Sequence, residues 1–483
     1  METLSGTDLV SAHRNIDTPF NLMVVSEGVN LSLIIRKILR LLPGKRIVAL
    51  AECDGTEILI KTYLGRTATR YATREKCGVQ AIARAGVHTP ELLWHGKLYD
   101  GQGELLAFQY LKNATSLVER WEKTTNEEEQ IDVLKEALGV IATLHNHGVV
   151  QHDLHLANFI LSDHDLYTID GGEVWRRTGV PLSEEESLRN LGLFFAQLYP
   201  KHDHLASFVL PSYEAIRGWG PCTVRSRQLD TEIGSAREAR KQKFLQKVFR
   251  DCTRFACESS FRRYTVCDRN AWSAEVSGLL EDPDKWMANG TILKEGNTAT
   301  VARVHLSDRS LVVKRYNVKN FWHGLRRAFR KSRAWHSWSN AWLMTFFGIP
   351  ALKPVAMIES RIGPLRATAW LITEYIDGPD AVSCLGNMKN PDGELEALAT
   401  ILDDLAKAQI SHGDLKATNF LMSEDGPIII DLDGMREHRD RNGFEHAFGK
   451  DLDRFVKNWE DRPDILERLG DRLAHLPRQK TIN

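Results

Sequence analysis

The sequence predicts an α+β protein built from two domains in tandem. The observations behind this are the chain length, an internal repeat at a near-constant offset, and the same run of short β-branched strands and amphipathic helices in each half. At 483 residues the chain exceeds what one hydrophobic core usually organises. Aligned with itself, it matches HDLHLANFILSDHDLYTIDGG at 152–172 with GDLKATNFLMSEDGPIIIDLDG at 413–434. Asp153, Asn158 and Asp170 recur as Asp414, Asn419 and Asp431, each 261 positions on. Upstream, AGVHTPELL (85–93) corresponds to FGIPALKPV (347–355) at an offset of 262. A period this long means duplication of a whole domain and not a solenoid.

The elements follow in the same order in both halves. RIVALAE and EILIKTY read as strands in the first half, TVARVHL and SLVVKRY in the second, by their β-branched content. Leu134, Leu138, Ile141 and His145 share one helical face, as do Leu395, Leu398, Leu402 and Leu405, and each helix runs directly into its repeated loop. Between the halves lies a basic helical stretch, REARKQKFLQKVFRDCTRF. Asp282 and Pro283 follow as a linker turn, so the domains are expected at 1–280 and 281–483.

Composition excludes several classes. With 42% hydrophobic and 26% charged residues the chain is of ordinary globular type. Its 63 basic and 64 acidic residues nearly cancel, which argues against nucleic-acid binding as the main task. Seven cysteines without a CxxC pair give neither a disulfide framework nor a zinc signature. The N-terminus lacks the pattern of a secretory signal. The apolar run from Leu31 to Leu42 is broken by Arg36, Lys37 and Arg40 and is too short to span a bilayer. A cytoplasmic protein is expected, with peripheral membrane attachment left open.

The repeated loop carries the chemistry. Phosphoryl transfer needs an oriented hydroxyl, a metal held across the phosphates, and cations around the developing charge. In protein kinases an aspartate accepts the hydroxyl proton, an asparagine five residues later reaches a metal, and an aspartate at a strand end holds the bridging metal. Asp153, Asn158 and Asp170 fit that order, and so do Asp414, Asn419 and Asp431. An isolated aspartate is usually a turn or cap residue; an ordered set found twice is not. The fold expectation thereby narrows to two tandem protein-kinase-like bilobal domains.

Lys61 and Lys314 end their strands where the kinase lysine touches the nucleotide phosphates. Glu75 is placed to orient Lys61, whereas the matching position in the second half is Ser337, so the second domain is expected to lack that ion pair. Gly296, Asn297 and Thr298, in LKEGNTATVARV, form either a phosphate-covering loop or a plain hairpin turn. The first half offers only glycines 44 and 55, and the second domain is therefore expected to grip ATP more tightly. Lys416 follows Asp414 by two, where a cation steadies the transferring phosphoryl; the first half has His155 there. Asp433 is either a second carboxylate near the metals or a cap for the turn at Gly434.

At these residues the chain resembles the lipopolysaccharide core kinases of the Kdo/WaaP type. HGDLKATNFL, IIIDLDGMR at 428–436 and KRYNVKNFWHGLRRAFRKSRAWHSW at 314–338 carry the likeness over most of residues 285–440. REKCGVQAIARAGVHTPELL, QHDLHLANF and YTIDGGE resemble the same family more distantly. The resemblance implies ATP- and Mg2+-dependent phosphorylation of a heptose, or else of Kdo, on a lipid-linked core oligosaccharide at the cytoplasmic face of the inner membrane. It makes Asp153 and Asp414 the bases, Asn158, Asp170, Asn419 and Asp431 the metal ligands, and Lys61 and Lys314 the ATP contacts. A small-molecule or protein kinase on the same fold, or a binding module with inactive kinase-like domains, stays open beside it. In residues 321–338 the arginines and Trp322, Trp335 and Trp338 either pack on the small lobe or meet an anionic membrane and acceptor.

Overall fold

The computed structural model describes residues 1–176, 180–317, 331–363, 365–386 and 388–477. By contacts the chain forms two compact units, 1–198 with 202–238, and 199–201 with 239–483.

In the first unit the strand order is Thr3–Leu4, Phe20–Ser26, Val29–Leu42, Arg46–Cys53, Thr56–Leu64, Gly103–Gln109 and Leu92–Leu98. Alternation of buried and half-exposed residues along Phe20–Ser26 and Arg46–Cys53 marks strands with one face on a core. Phe20–Ser26 also pairs with Leu92–Leu98, through Val24↔Leu98 and Val25↔Lys97, so the sheet closes on itself. Leu22, Val24, Leu33, Ile47, Ala49, Ile60 and Leu105 fill the closed sheet. A closed, barrel-like sheet was not expected from the sequence: the pairing joins strands some seventy residues apart and leaves no local signal.

A separate helical core holds Leu134, Leu138 and Ile141 of helix Glu127–Asn146 against Phe194, Phe195, Leu205 and Tyr213. The expected stripe is therefore buried, and its fourth member, His145, is buried with it.

The second unit has an open antiparallel sheet in the order Phe255–Ser259, Arg263–Asp268, Pro354–Ile362, Leu365–Glu374, Ser310–Tyr316, Ala299–His305 and Thr291–Glu295. Its helical core gathers Leu395, Leu398, Leu402 and Leu405 of helix Asp392–Lys407 around Phe420, Phe448 and Phe455. The two units thus share strand order at the five positions around the lysine strand.

The boundary falls at Glu238 and Ala239, not near 280. The reason is hydrogen bonding and burial: Arg263–Asp268 pairs with Pro354–Ile362, and Val248 and Phe255 pack with Trp338 and Trp342. Asp282 is no linker turn. Its carboxylate caps helix Pro283–Ala288 by accepting from the Lys285 amide (3.1 Å), and Met287 of that helix is buried in the unit's core.

Candidate functional site

In the first unit Lys61 projects from Thr56–Leu64 with its side chain 12% exposed. Its ammonium pairs with Glu75, from helix Ala68–Arg84, and with Asp170 Oδ1 at 3.3 Å. Glu75 is buried; Tyr63, two residues after the lysine, donates to its Oε2 (3.2 Å), and the Gly171 amide donates to its Oε1 (3.1 Å). Burial and the Glu75 charge both push the Tyr63 phenol above its ordinary value. Asp170 adopts left-handed backbone, φ 68°, at the point where strand Asp165–Thr168 gives way to the following turn. Burial raises its pKa, but Lys61, Arg46 and Arg40 outweigh that and hold the carboxyl below its usual range.

The loop itself is tied down by its asparagine. Asn158 donates from its side chain to the Asp153 carbonyl (2.6 Å), and its own carbonyl accepts from the Ile169 amide (2.9 Å). With the amide nitrogen committed, the Oδ1 atom is the part of Asn158 suited to an outside cation. Asp153 is half exposed, with His155 Nε2 at 3.8 Å from its carboxylate.

A cavity of about 570 Å³ joins these groups, with Lys61, Glu75, Asn158 and Asp170 in its wall. Leu39, Val48, Leu59, Phe108 and Ile169 supply apolar walls, and Arg40 and Arg46 add cations from the hairpin Val29–Leu42/Arg46–Cys53. Apolar walls together with the cations Lys61, Arg40 and Arg46 in a space of this size suit a ligand with a flat ring and phosphates. Sequence reasoning passed over both arginines because it sought glycines in this hairpin.

In the second unit Lys314, on Ser310–Tyr316, is 2.7 Å from Asp431 Oδ1 and 3.1 Å from Asp433 Oδ2. Asp431 repeats the left-handed backbone of Asp170, with φ 59°. Asn419 donates to the Asp414 carbonyl (2.8 Å) and accepts from the Ile430 amide (2.9 Å), as Asn158 does in its loop. Lys416 is 3.1 Å from Asp414, and Arg454 is 3.7 Å away on its other side. Gly296, Asn297 and Thr298 form the turn between Thr291–Glu295 and Ala299–His305. The carbonyls of Gly296 and Thr298 accept from Asn317, just past the lysine strand, at 3.1 Å each.

Two readings for this unit are sharpened by the contacts. Lys314 does have a second carboxylate partner, although Ser337 stands where Glu75 would be. That partner is Asp433, to which Tyr316 (2.7 Å), Ser337 and Arg333 (2.6 Å) also donate. Burial raises the Asp433 pKa, and Lys314, these donors and the Arg333 charge more than reverse it.

The second concerns the tryptophans, for which packing and a membrane contact were both open. Trp338 is fully buried, and Trp335 stacks on Phe249 at 3.7 Å, so both pack within the unit; Arg327, Arg330 and Trp322 lie outside the described residues.

Residues that sequence reasoning missed complete the site. Asp451, from helix Arg441–Lys457, accepts from the amides of His412 (2.6 Å) and Gly413 (2.9 Å), fixing the loop backbone ahead of Asp414. Its counterpart at the 261-residue offset is Asn190, which donates to the Gln151 carbonyl (2.8 Å). That offset was the available signal. His412 reaches the Ile430 carbonyl through Nε2 (3.1 Å), and Gln151 reaches the Ile169 carbonyl (3.0 Å).

Among the described residues no group of three or more His, Cys, Asp or Glu is arranged to hold a metal alone. An asparagine and an aspartate per unit offer hard oxygen donors, the set that suits Mg2+ completed by substrate phosphates and water. Among the described residues no helix is long and apolar enough to cross a membrane.

Comparison with known proteins finds a likeness that lies in the second unit. No curated protein sequence matches the chain. Among solved structures, WaaP in complex with acyl carrier protein has a TM-score of 0.32 at 18% identity, covering 43% of this chain and 88% of that one. Vaccinia related kinase 3 has a TM-score of 0.30 at 13% identity, covering 49% of this chain and 95% of that one. Scores this low leave the weight with the sequence family and the side-chain geometry above. Residues 284–469 match the model of the lipopolysaccharide kinase (Kdo/WaaP) family, and the lysine, asparagine and aspartates of the second unit all fall within that segment.

Proposed function

We propose that both units are bilobal kinase-like domains, and that the chain transfers a phosphoryl group from ATP to a sugar hydroxyl, most simply of a heptose, on a lipid-linked core oligosaccharide. The observation that carries this reading is the arrangement repeated in each unit. A strand lysine bridges to a left-handed aspartate, and an asparagine five residues after the candidate base closes the loop. Lys61 and Lys314 would engage the nucleotide phosphates. Asp153 and Asp414, exposed at the loop, are placed to align a hydroxyl and accept its proton. Lys416 and Arg454, flanking Asp414, would meet the charge developing on the phosphoryl group. Asn158 with Asp170, and Asn419 with Asp431, are the residues to hold Mg2+, which when bound neutralises the phosphates. Such an acceptor places the protein in the cytoplasm, peripheral on an anionic membrane face, with no part for nucleic acid.

Mass spectrometry of core oligosaccharide tests the reading. Cells lacking the gene should lose core phosphate, the parent gene should restore it, and a gene carrying both Asp153→Asn and Asp414→Asn should not. Unchanged phosphate content in the deletion would exclude the core as acceptor.

A further inference from the structure

The two units hold their strand lysine with carboxylates that arrive from different places. In the first, the carboxylate is Glu75 on the helix, and position 172 on the turn is glycine. In the second, helix position 337 is serine and the turn carries Asp433 at the matching place, 261 residues after Gly172. A Cβ built on Gly172 would lie 2.9 Å from Glu75 Oε2, so the turn position faces the very spot that the helix carboxylate fills. The anchoring hydroxyl is the same in both: Tyr63 and Tyr316 each stand two residues after the lysine, and each donates to the carboxylate in question.

The backbone around the exchange differs as well. In the first unit the helix and turn touch through glycines: a Cβ on Gly78 would come within 1.9 Å of the Gly171 carbonyl oxygen. In the second, Leu432 replaces Gly171, and Asn340, at the place of Gly78, spans the contact by donating to the Leu432 carbonyl (2.8 Å).

Resting on the kinase reading of these sites, we infer that Asp433 is a positioning residue that orients Lys314 in place of the helix glutamate, and not a metal ligand. Helix and turn are alternative sources of one carboxylate, and either should serve when the other is vacated.

The test uses the full chain carrying Lys61→Met, so that MgATP titration reports the second unit. Asp433→Gly should weaken MgATP binding on the order of tenfold, because Lys314 loses one of its two carboxylate partners and is held by Asp431 alone. Ser337→Glu with Asp433→Gly should recover affinity to within about threefold of the parent, and the free Mg2+ needed for half-maximal binding should be the same throughout. A double variant as weak as Asp433→Gly would overturn the inference. So would an Asp433→Gly defect that added Mg2+ repairs, since that marks a metal ligand. The reciprocal pair, Glu75→Ser with Gly172→Asp in a Lys314→Met chain, decides the matter by the same criterion if Asp433→Gly does not fold. Absence of MgATP binding by the parent would instead bring down the kinase reading of the site and this inference with it.

Discussion

The loops that present Asp153 and Asp414 have the same backbone frame and opposite chemistry behind it. Behind Asp414 stands a charged support: Asp451 accepts two loop amides, and Arg454 donates to the Gly413 carbonyl (2.8 Å). Behind Asp153 stands a neutral one. His145, buried, meets Tyr213 (2.8 Å) and Asn190 (2.9 Å), and Asn190 passes the contact on to Gln151. The second unit has Ala406 at the place of His145 and Asp451 at the place of Asn190. What the two units share is the position of the loop; the means of holding it differs in a coordinated way, histidine with asparagine in one unit and alanine with aspartate in the other.

The sharpest way to separate the units is at the candidate bases. Asp414→Asn should lower turnover by about 10³-fold while leaving the thermal transition in place, because proton acceptance is lost and the amide keeps the shape. Asp153→Asn, measured alongside on core glycolipid with ATP, assigns the working unit. If both variants turn over like the parent, neither aspartate is a base.

The next effect is in pH. His145 is held neutral in the fold: burial lowers its pKa from the ordinary 6.5 to about 4, against the Asn190 contact that would raise it and with the Arg217 charge adding to the fall. Below pH 6.5 the unfolded chain takes up this proton and the folded chain does not until about pH 4. Stability therefore drops across that window, by up to about 3 kcal/mol, and levels off beneath it. Denaturant titrations between pH 7 and 4 should show this slope for the transition of the first unit, and His145→Gln should flatten it. An equal slope in the His145→Gln chain would place the acid sensitivity elsewhere.

The smallest effect compares the two supporting helices at their starts. Ser183 caps Glu184–Phe195 in a capping box with Glu186, and Asp440 caps Arg441–Lys457 by accepting from the amides of Asn442 and Gly443 (3.0 Å each). Ser183→Ala and Asp440→Ala should each cost about 1 kcal/mol in chemical denaturation, with the larger loss at Asp440, whose charge also meets the helix dipole.

Much of this was legible in the sequence because it is local or periodic. The strand lysines, the leucine stripes and the loop sets follow from spacing alone, and the offset of 261 tied the halves together. What was not legible depends on contacts between distant segments. The partner of Lys314 could not be read from the helix, since the carboxylate had moved to a turn 96 residues from Ser337. The boundary was misplaced because Phe255–Ser259 and Arg263–Asp268 carry no mark of which sheet they join until Pro354–Ile362 is beside them. Trp335 and Trp338 left packing and a surface role both open because their partners, Phe249 stacked on the one and Phe255 edge-on to the other, lie some eighty residues away.

Closure of the first unit's sheet, through Val24↔Leu98 and Val25↔Lys97, also bears on what the chain risks while it folds. A sheet that ends on itself offers no row of unsatisfied amides and carbonyls along which another polypeptide can zip. The second unit's sheet does end in such a row, at Thr291–Glu295, whose residues are all exposed. That strand carries Lys294 and Glu295 and a register break between Ile292 and Lys294, and charge and irregular pairing both discourage a recruited strand. Neutralising Lys294 and Glu295 would remove both charges from this edge strand, so clumping of newly made chains should then begin there.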